Sequence, residues 1–104
     1  MIRKAFRMAV NPGELAEYER RHSPIWQELQ DVLVQHGAHD YSIFLDEVSL
    51  TLFAVLRLTP DNTRGKLPSL PIMRRWWAFM ADLMEVDQTN KPVERALTPV
   101  FHMD

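Results

Sequence analysis

Residues Leu50 to Leu58 constrain this chain more than any other stretch. Read with a period of two, one face carries Leu50, Leu52, Ala54, Leu56 and Leu58, and the other Thr51, Phe53, Val55 and Arg57. Such alternation marks a strand. Here both faces are largely apolar, so both need burial. A layer of helices covers one face of a sheet only. A second copy of the same sheet is the simplest cover for the other, which predicts a homodimer with two sheets face to face.

The flanking sequence predicts partners for this strand. Ile2 to Val10 alternates, with Ile2, Phe6, Met8 and Val10 on one side and Arg3 and Arg7 on the other. Asn11-Pro12-Gly13-Glu14 reads as a helix start, with Asn11 as cap and Pro12 at the first helical position. That helix is expected from Pro12 to about His22. Pro24 interrupts it, Ser23 can cap a second piece, and Ile25, Leu29, Val32 and Leu33 give that piece an apolar side before Gly37 stops it. Tyr41 to Leu45 reads as a strand joined to Leu50–Leu58 through Asp46-Glu47-Val48-Ser49.

Thr59 to Pro71, with Pro60, Gly65, Pro68 and Pro71, is expected to be irregular with one short helical turn. Ile72 to Met84 predicts a helix burying Met73, one of Trp76 and Trp77, Met80, and one of Leu83 and Met84. Val86 to Pro92 reads as a loop. Leu97 to Met103 can form a last strand, with Pro99 favouring an edge. The order β-α-β-β-α-β is the ferredoxin-like α+β pattern, an antiparallel sheet with helices on one face. It forms a single domain over residues 1–104.

Composition narrows the function. A formal net charge of -2 gives nucleic acid no electrostatic footing. No cysteine is present, which excludes disulfides and thiolate metal sites and suits a reducing compartment. Met1 to Arg7 lacks the apolar region of a signal peptide, and no apolar run approaches the roughly 20 residues that cross a bilayer. The expectation is a cytoplasmic protein without membrane contact.

Three groups of residues can carry chemistry. Tyr18 and His22 lie four apart, on one side of the first helix, and His22 stands at the Ser23-Pro24 break where a side chain can reach a pocket. Histidine exchanges protons near neutral pH. A lone histidine at a helix C-terminus also simply stabilises the last carbonyls. Trp76 and Trp77, after Arg74-Arg75, point about 100° apart on a helix, so one can fill the core while the other borders a pocket. Indole faces suit the C–H patches of a pyranose, and each keeps an N–H donor. Taken alone, the pair reads better as core or interface residues. Tyr41 shares a strand face with Ile43 and Leu45, and its buried phenol needs a partner, either a ligand hydroxyl or a backbone carbonyl. His36 and His39 straddle Gly37 without a third ligand, so no metal site is expected. His102 has no evident companion.

Taken together these residues resemble the L-rhamnose mutarotase family. Three stretches carry the resemblance: Tyr18-Glu19-Arg20-Arg21-His22-Ser23-Pro24-Ile25-Trp26, His36 to Leu45, and Arg75-Trp76-Trp77-Ala78-Phe79-Met80. The resemblance implies a dimeric α+β barrel that needs no cofactor and interconverts the α and β anomers of L-rhamnose. It places the proton donor at His22 and sugar-binding positions at Tyr18, Tyr41, Trp76 and Trp77. Two features depart from the family pattern: Gln27 stands where proline is common, and Thr63 to Pro71 looks less helical. The alternatives are a dimeric α+β barrel monooxygenase acting on an aromatic ligand, a sugar-binding subunit without activity, and a haem-binding barrel using His22 or His102.

Overall fold

The leucine-rich strand β3 (Thr51–Leu58) lies inside a four-stranded sheet. β1 (Ile2–Ala9) and β2 (Ala38–Asp46) flank it, both antiparallel, and β4 (Arg95–Leu97) pairs with the far side of β1. The computed structural model describes all of residues 1–104. The strand order β2-β3-β1-β4 is the one that a ferredoxin-like chain produces. The register sets Phe6 opposite Ala54 and Met8 opposite Leu52 on the core face. Leu52, Ala54 and Leu56 are almost completely buried there. Truncating a leucine so placed costs about 2–5 kcal/mol.

Helices cover this face alone. They are α1 (Leu15–His22), α2 (Gln27–Gln35) and α3 (Pro71–Met80). Leu29 of α2 and Ile72, Met73, Trp76 and Met80 of α3 are buried against the sheet. The opposite face is open in the single chain. Phe44, Phe53 and Val55 are exposed on it, in cross-strand register with Arg7 and Ala5. The apolar character of both faces of β3, read from its alternation, is therefore met by a protein layer on one side only.

Several boundaries differ from the sequence-based expectation. α1 begins at Leu15, not Pro12, because Gly13 sits at φ 81°, a left-handed conformation that cannot continue into a helix. Asn11 does not cap it. Its amide donates to the carbonyls of Asp82 (3.3 Å) and Met84 (3.4 Å), tying the end of β1 to the chain beyond α3. Ser23 is not a cap either: the Ser23–Pro24 bond is cis, and α2 starts only at Gln27, after an extended Trp26.

The segment containing Pro68 forms a 3₁₀ helix over Arg64–Ser69, more helical than expected. α3 ends at Met80 and tightens into a 3₁₀ turn at Ala81–Leu83, which still buries Leu83. The final strand is Arg95–Leu97 rather than Leu97 to Met103. It lies at the sheet edge, and Pro99, without an N–H, lies just past its end.

β2 also runs longer than expected and carries a bulge. His39 pairs with Arg57 and Ser42 with Val55, so Asp40 and Tyr41 together face one residue of β3. Asp40 absorbs the extra length at φ 49°.

Gly37, where α2 turns into β2, adopts φ 92°. A Cβ there would stand 2.5 Å from Thr59 Oγ1 and 2.6 Å from Asn62 Cβ. Both conformation and space demand glycine. Gly65 has an ordinary φ, and a Cβ added to it would point into open space. Gly37→Ala should therefore lower the unfolding free energy in urea by at least about 2 kcal/mol, while Gly65→Ala stays within about 0.5 kcal/mol of the parent.

Candidate functional site

Between the helices and the core face of the sheet lies a cavity of about 750 Å³. Small-molecule sites are typically roughly 300–1,000 Å³ and mostly apolar, with a few placed polar groups. Tyr18 and His22 reach it from α1, Tyr41 from β2, and Trp76 and Trp77 from α3. All five side chains singled out in the sequence thus converge on one space, from three elements.

His22 occupies the last turn of α1. Its Nδ1 lies 3.0 Å from the carbonyl oxygen of Tyr18. A carbonyl only accepts, so Nδ1 carries the proton and donates. In the neutral ring Nε2 is then the basic nitrogen. Burial holds the His22 pKa below its ordinary value, and the Tyr18 carbonyl pulls the other way. The imidazole is therefore uncharged at neutral pH. Its ring lies 4.3 Å from the Tyr18 ring, tilted by 31°, and meets the Trp76 ring edge-on at 5.2 Å. Trp76 in turn packs edge-on against Trp26 at 5.1 Å. The histidine is thus held by one hydrogen bond and two aromatic walls.

The two phenols remain protonated. Burial pushes the Tyr18 phenol well up. It pushes Tyr41 to about 12, with Arg64 lowering it and Glu94 raising it. Tyr41 turns its ring towards Phe6, at 6.4 Å and nearly perpendicular, but the residue remains 40% exposed, so it is not the buried core residue that its strand position predicts. The choice between core and pocket for the tryptophans resolves to both: Trp76 is buried in the core and borders the cavity, and Trp77 is half-buried at its wall.

Arg21, next to His22, escaped the sequence reading. Its Nε donates to Glu17 at 2.8 Å, its Nη1 to Asp82 at 2.8 Å and to the Phe79 carbonyl, and the guanidinium lies 4.9 Å above the Phe79 ring. This group fastens the last turn of α1, and so His22, to the end of α3. Bonds from Arg20 and then Arg21 hold the Glu17 carboxyl at about 2. The Glu17–Arg21 half is visible in the sequence as a four-residue spacing. Asp82 is too distant in the chain to be paired with it.

Of the other histidines, His36 and His102 have partners that the sequence reading did not supply. His36 Nδ1 bonds the Val32 carbonyl at 2.8 Å at the end of α2, while His39 belongs to β2. No set of three His, Asp or Glu side chains is grouped to hold a metal ion. His102 sits in the exposed tail, 2.8 Å from Asp104.

A sequence model of the L-rhamnose mutarotase family matches residues 3–103. The chain belongs to that family. The L-rhamnose mutarotase of Jannaschia sp. is 53% identical over 99% of both chains. That of Brucella anthropi is 52% identical over 97% of this chain and 95% of its own. Among solved structures, the L-rhamnose mutarotase of Formosa agariphila superimposes with a TM-score of 0.93 at 40% identity, covering both chains fully. A Bordetella bronchiseptica structure assigned to antibiotic biosynthesis monooxygenases gives a TM-score of 0.63 at 14% identity, over 95% of this chain and 96% of its own. That likeness is one of fold alone.

The assignment of the His22 proton is directly measurable. ¹⁵N NMR of the imidazole should show Nδ1 protonated and Nε2 bare at neutral pH, with a titration midpoint below the ordinary histidine range. A midpoint above that range, or the opposite tautomer, would contradict the geometry.

Proposed function

We propose that this chain interconverts the α and β anomers of L-rhamnose with His22 as its proton-transfer residue. The sugar and the reaction are those of its family. The observation that carries the chemistry is the bond from His22 Nδ1–H to the Tyr18 carbonyl, which leaves Nε2 as a base turned away from its own helix.

In this reading Nε2 takes the proton of the anomeric hydroxyl as the C1–O5 bond breaks and C1=O1 forms. The imidazolium then hands that proton to O5. Both oxygens are attached to C1, so one nitrogen reaches each with a small shift of the sugar or through a bridging water. The aldehyde turns about C1–C2, and the same steps run backwards to close the ring on the other face. No C–H bond breaks and no electron changes hands, so the reaction as written calls for no cofactor. His22 ends each turnover neutral.

Tyr18 and Tyr41 offer phenol hydroxyls that bond to no protein group, and they orient the sugar. Trp76 and Trp77 supply an apolar wall for its C–H faces and its methyl group. A proton shuttle of this kind contributes typically ~10²–10⁴-fold in rate.

The test is anomer exchange in L-rhamnose, read as saturation transfer between the two H1 NMR signals. Exchange should run well above the buffer rate with the wild type. It should fall by about 10²–10⁴-fold in His22→Ala with folding intact. Because burial lowers the His22 pKa, the rate should climb as pH rises through a value below the ordinary histidine range, then level off before neutrality. A wild type that does not exceed buffer would remove the mutarotase reading and return the monooxygenase and binding-protein alternatives.

We also read the chain as a homodimer joined through its open sheet face, in the cytoplasm. Supporting the dimer are the exposed Phe44, Phe53 and Val55, an apolar surface of the kind that marks interaction sites. The cytoplasmic reading rests on the cysteine-free composition, which suits a reducing compartment. No helix is long and apolar enough to cross a membrane. Sedimentation velocity should give a dimer for the wild type and a monomer for Val55→Asp. A monomeric wild type at every concentration would overturn the assignment.

A further inference from the structure

A side chamber of about 110 Å³ adjoins the main cavity, and Met8, Tyr41, Met73, Trp77 and Pro92 line both. Arg64, Lys91 and Glu94 border the chamber and not the main cavity, whose own charged lining residues are the acidic Glu19 and Asp40. The Arg64 and Glu94 side chains retain 26% and 29% of their exposure. Nη2 of Arg64 stands 3.6 Å from Oε1 of Glu94, an ion pair too long to be a hydrogen bond. The hydrogen bond Arg64 does make uses its backbone N–H, to Asn62 Oδ1 at 3.2 Å. The guanidinium is held over the Phe6 ring at 5.2 Å, a contact that consumes none of its N–H donors.

Two partly exposed charged groups thus border a small space, and neither side chain makes a hydrogen bond to another protein group. Groups in that state gain from a ligand that both donates and accepts. Neighbouring sugar hydroxyls do both: one donates to the carboxylate and the other accepts from the guanidinium. Position agrees with chemistry. In a pyranose C4 lies across the ring from C1, and C3 lies across from O5. With C1 and O5 at His22, the 3- and 4-hydroxyls project away from it, towards the Tyr41 wall that the chamber shares.

We propose that Arg64 and Glu94 determine specificity by holding the 3- and 4-hydroxyls of the sugar in this side chamber. The inference rests on the mutarotase reading and extends it to residues that the family motifs do not mark. A site built to bond a hydroxyl rejects an analogue without it far more strongly than an apolar wall rejects a misfit. The pair therefore discriminates among sugars that differ at single hydroxyls, while His22 acts at the anomeric carbon common to all of them.

The experiment measures anomer exchange against sugar concentration for wild type, Glu94→Gln and Arg64→Lys. Substrates are L-rhamnose and its 3-deoxy and 4-deoxy analogues. Glu94→Gln should raise the half-saturating L-rhamnose concentration about tenfold, the scale of one charged hydrogen bond, and leave the saturated rate within about twofold. For the deoxy analogue that lacks the bound hydroxyl, the wild type should already show the weaker saturation, and the substitution should add nothing. An unchanged half-saturating concentration, or an equal rise for both analogues and L-rhamnose, would overturn the proposal, the second outcome indicating a purely structural role. Should the variants fail to fold, the wild type alone decides, because equal saturation by L-rhamnose and both analogues overturns it. A wild type that exchanges no L-rhamnose fails differently, striking the mutarotase reading and this inference with it.

Discussion

The core face of β3 holds the molecule together. Leu52 and Ala54 meet Met8 and Phe6 of β1 on one side, and Leu45 and Ile43 of β2 on the other. The helices pack onto that row from above. Burial of apolar surface at about 25 cal/mol per Å² is the main favourable contribution in a chain this short, and the row has few substitutes. The site depends on the same arrangement. A cavity of about 750 Å³ lies against this thin core, and a cavity forgoes the packing contacts that would otherwise fill it. Arg21 bonds Asp82 across from α1 to the turn after α3, and Asn11 ties the end of β1 to the same stretch.

The site divides its labour by polarity. Around His22 the nearest rings are those of Tyr18 and Trp76, and burial there lowers the imidazole's affinity for a proton. On the far side of Tyr41 the surroundings are charged, with Arg64 and Glu94 at the side chamber. On the proposed reading, a reacting end at His22 and a charged anchoring end suit a substrate whose reaction occurs at one carbon but whose identity lies in several hydroxyls. Tyr41, at the bulge in β2, stands between the two.

The fold was legible in the sequence wherever a pattern repeated. β3, β1 and the apolar side of α3 follow from periods of two and 3.6, and those periods are what burial selects. Four of the five cavity-lining residues were legible for a second reason: Tyr18–His22 and Trp76–Trp77 are short-range pairs whose convergence needs only one helix each, while Tyr41 followed from its strand alternation. Boundaries set by long-range contacts were not legible. Asn11 carries every local mark of a cap, yet it spends its side chain on residues 71 and 73 positions away. The 3₁₀ segment around Pro68 gains its order from Leu67, buried in the core, and composition alone made it look irregular. Arg64 and Glu94 stand thirty residues apart in segments without a pattern, so nothing local marks them as neighbours.

His22 takes its orienting bond from Tyr18, one turn earlier in the same helix. α1 has only eight residues, and it ends one position before the break at Ser23. The alignment of the imidazole is thus a property of a helix terminus, the part of a helix that frays first. On the proposed reading, competence follows the integrity of that single turn, whereas the sheet beneath is held by the buried row of β3. Warming is therefore expected to disturb this alignment before the fold as a whole. The bonds of Arg21 to Glu17 and Asp82 oppose that fraying.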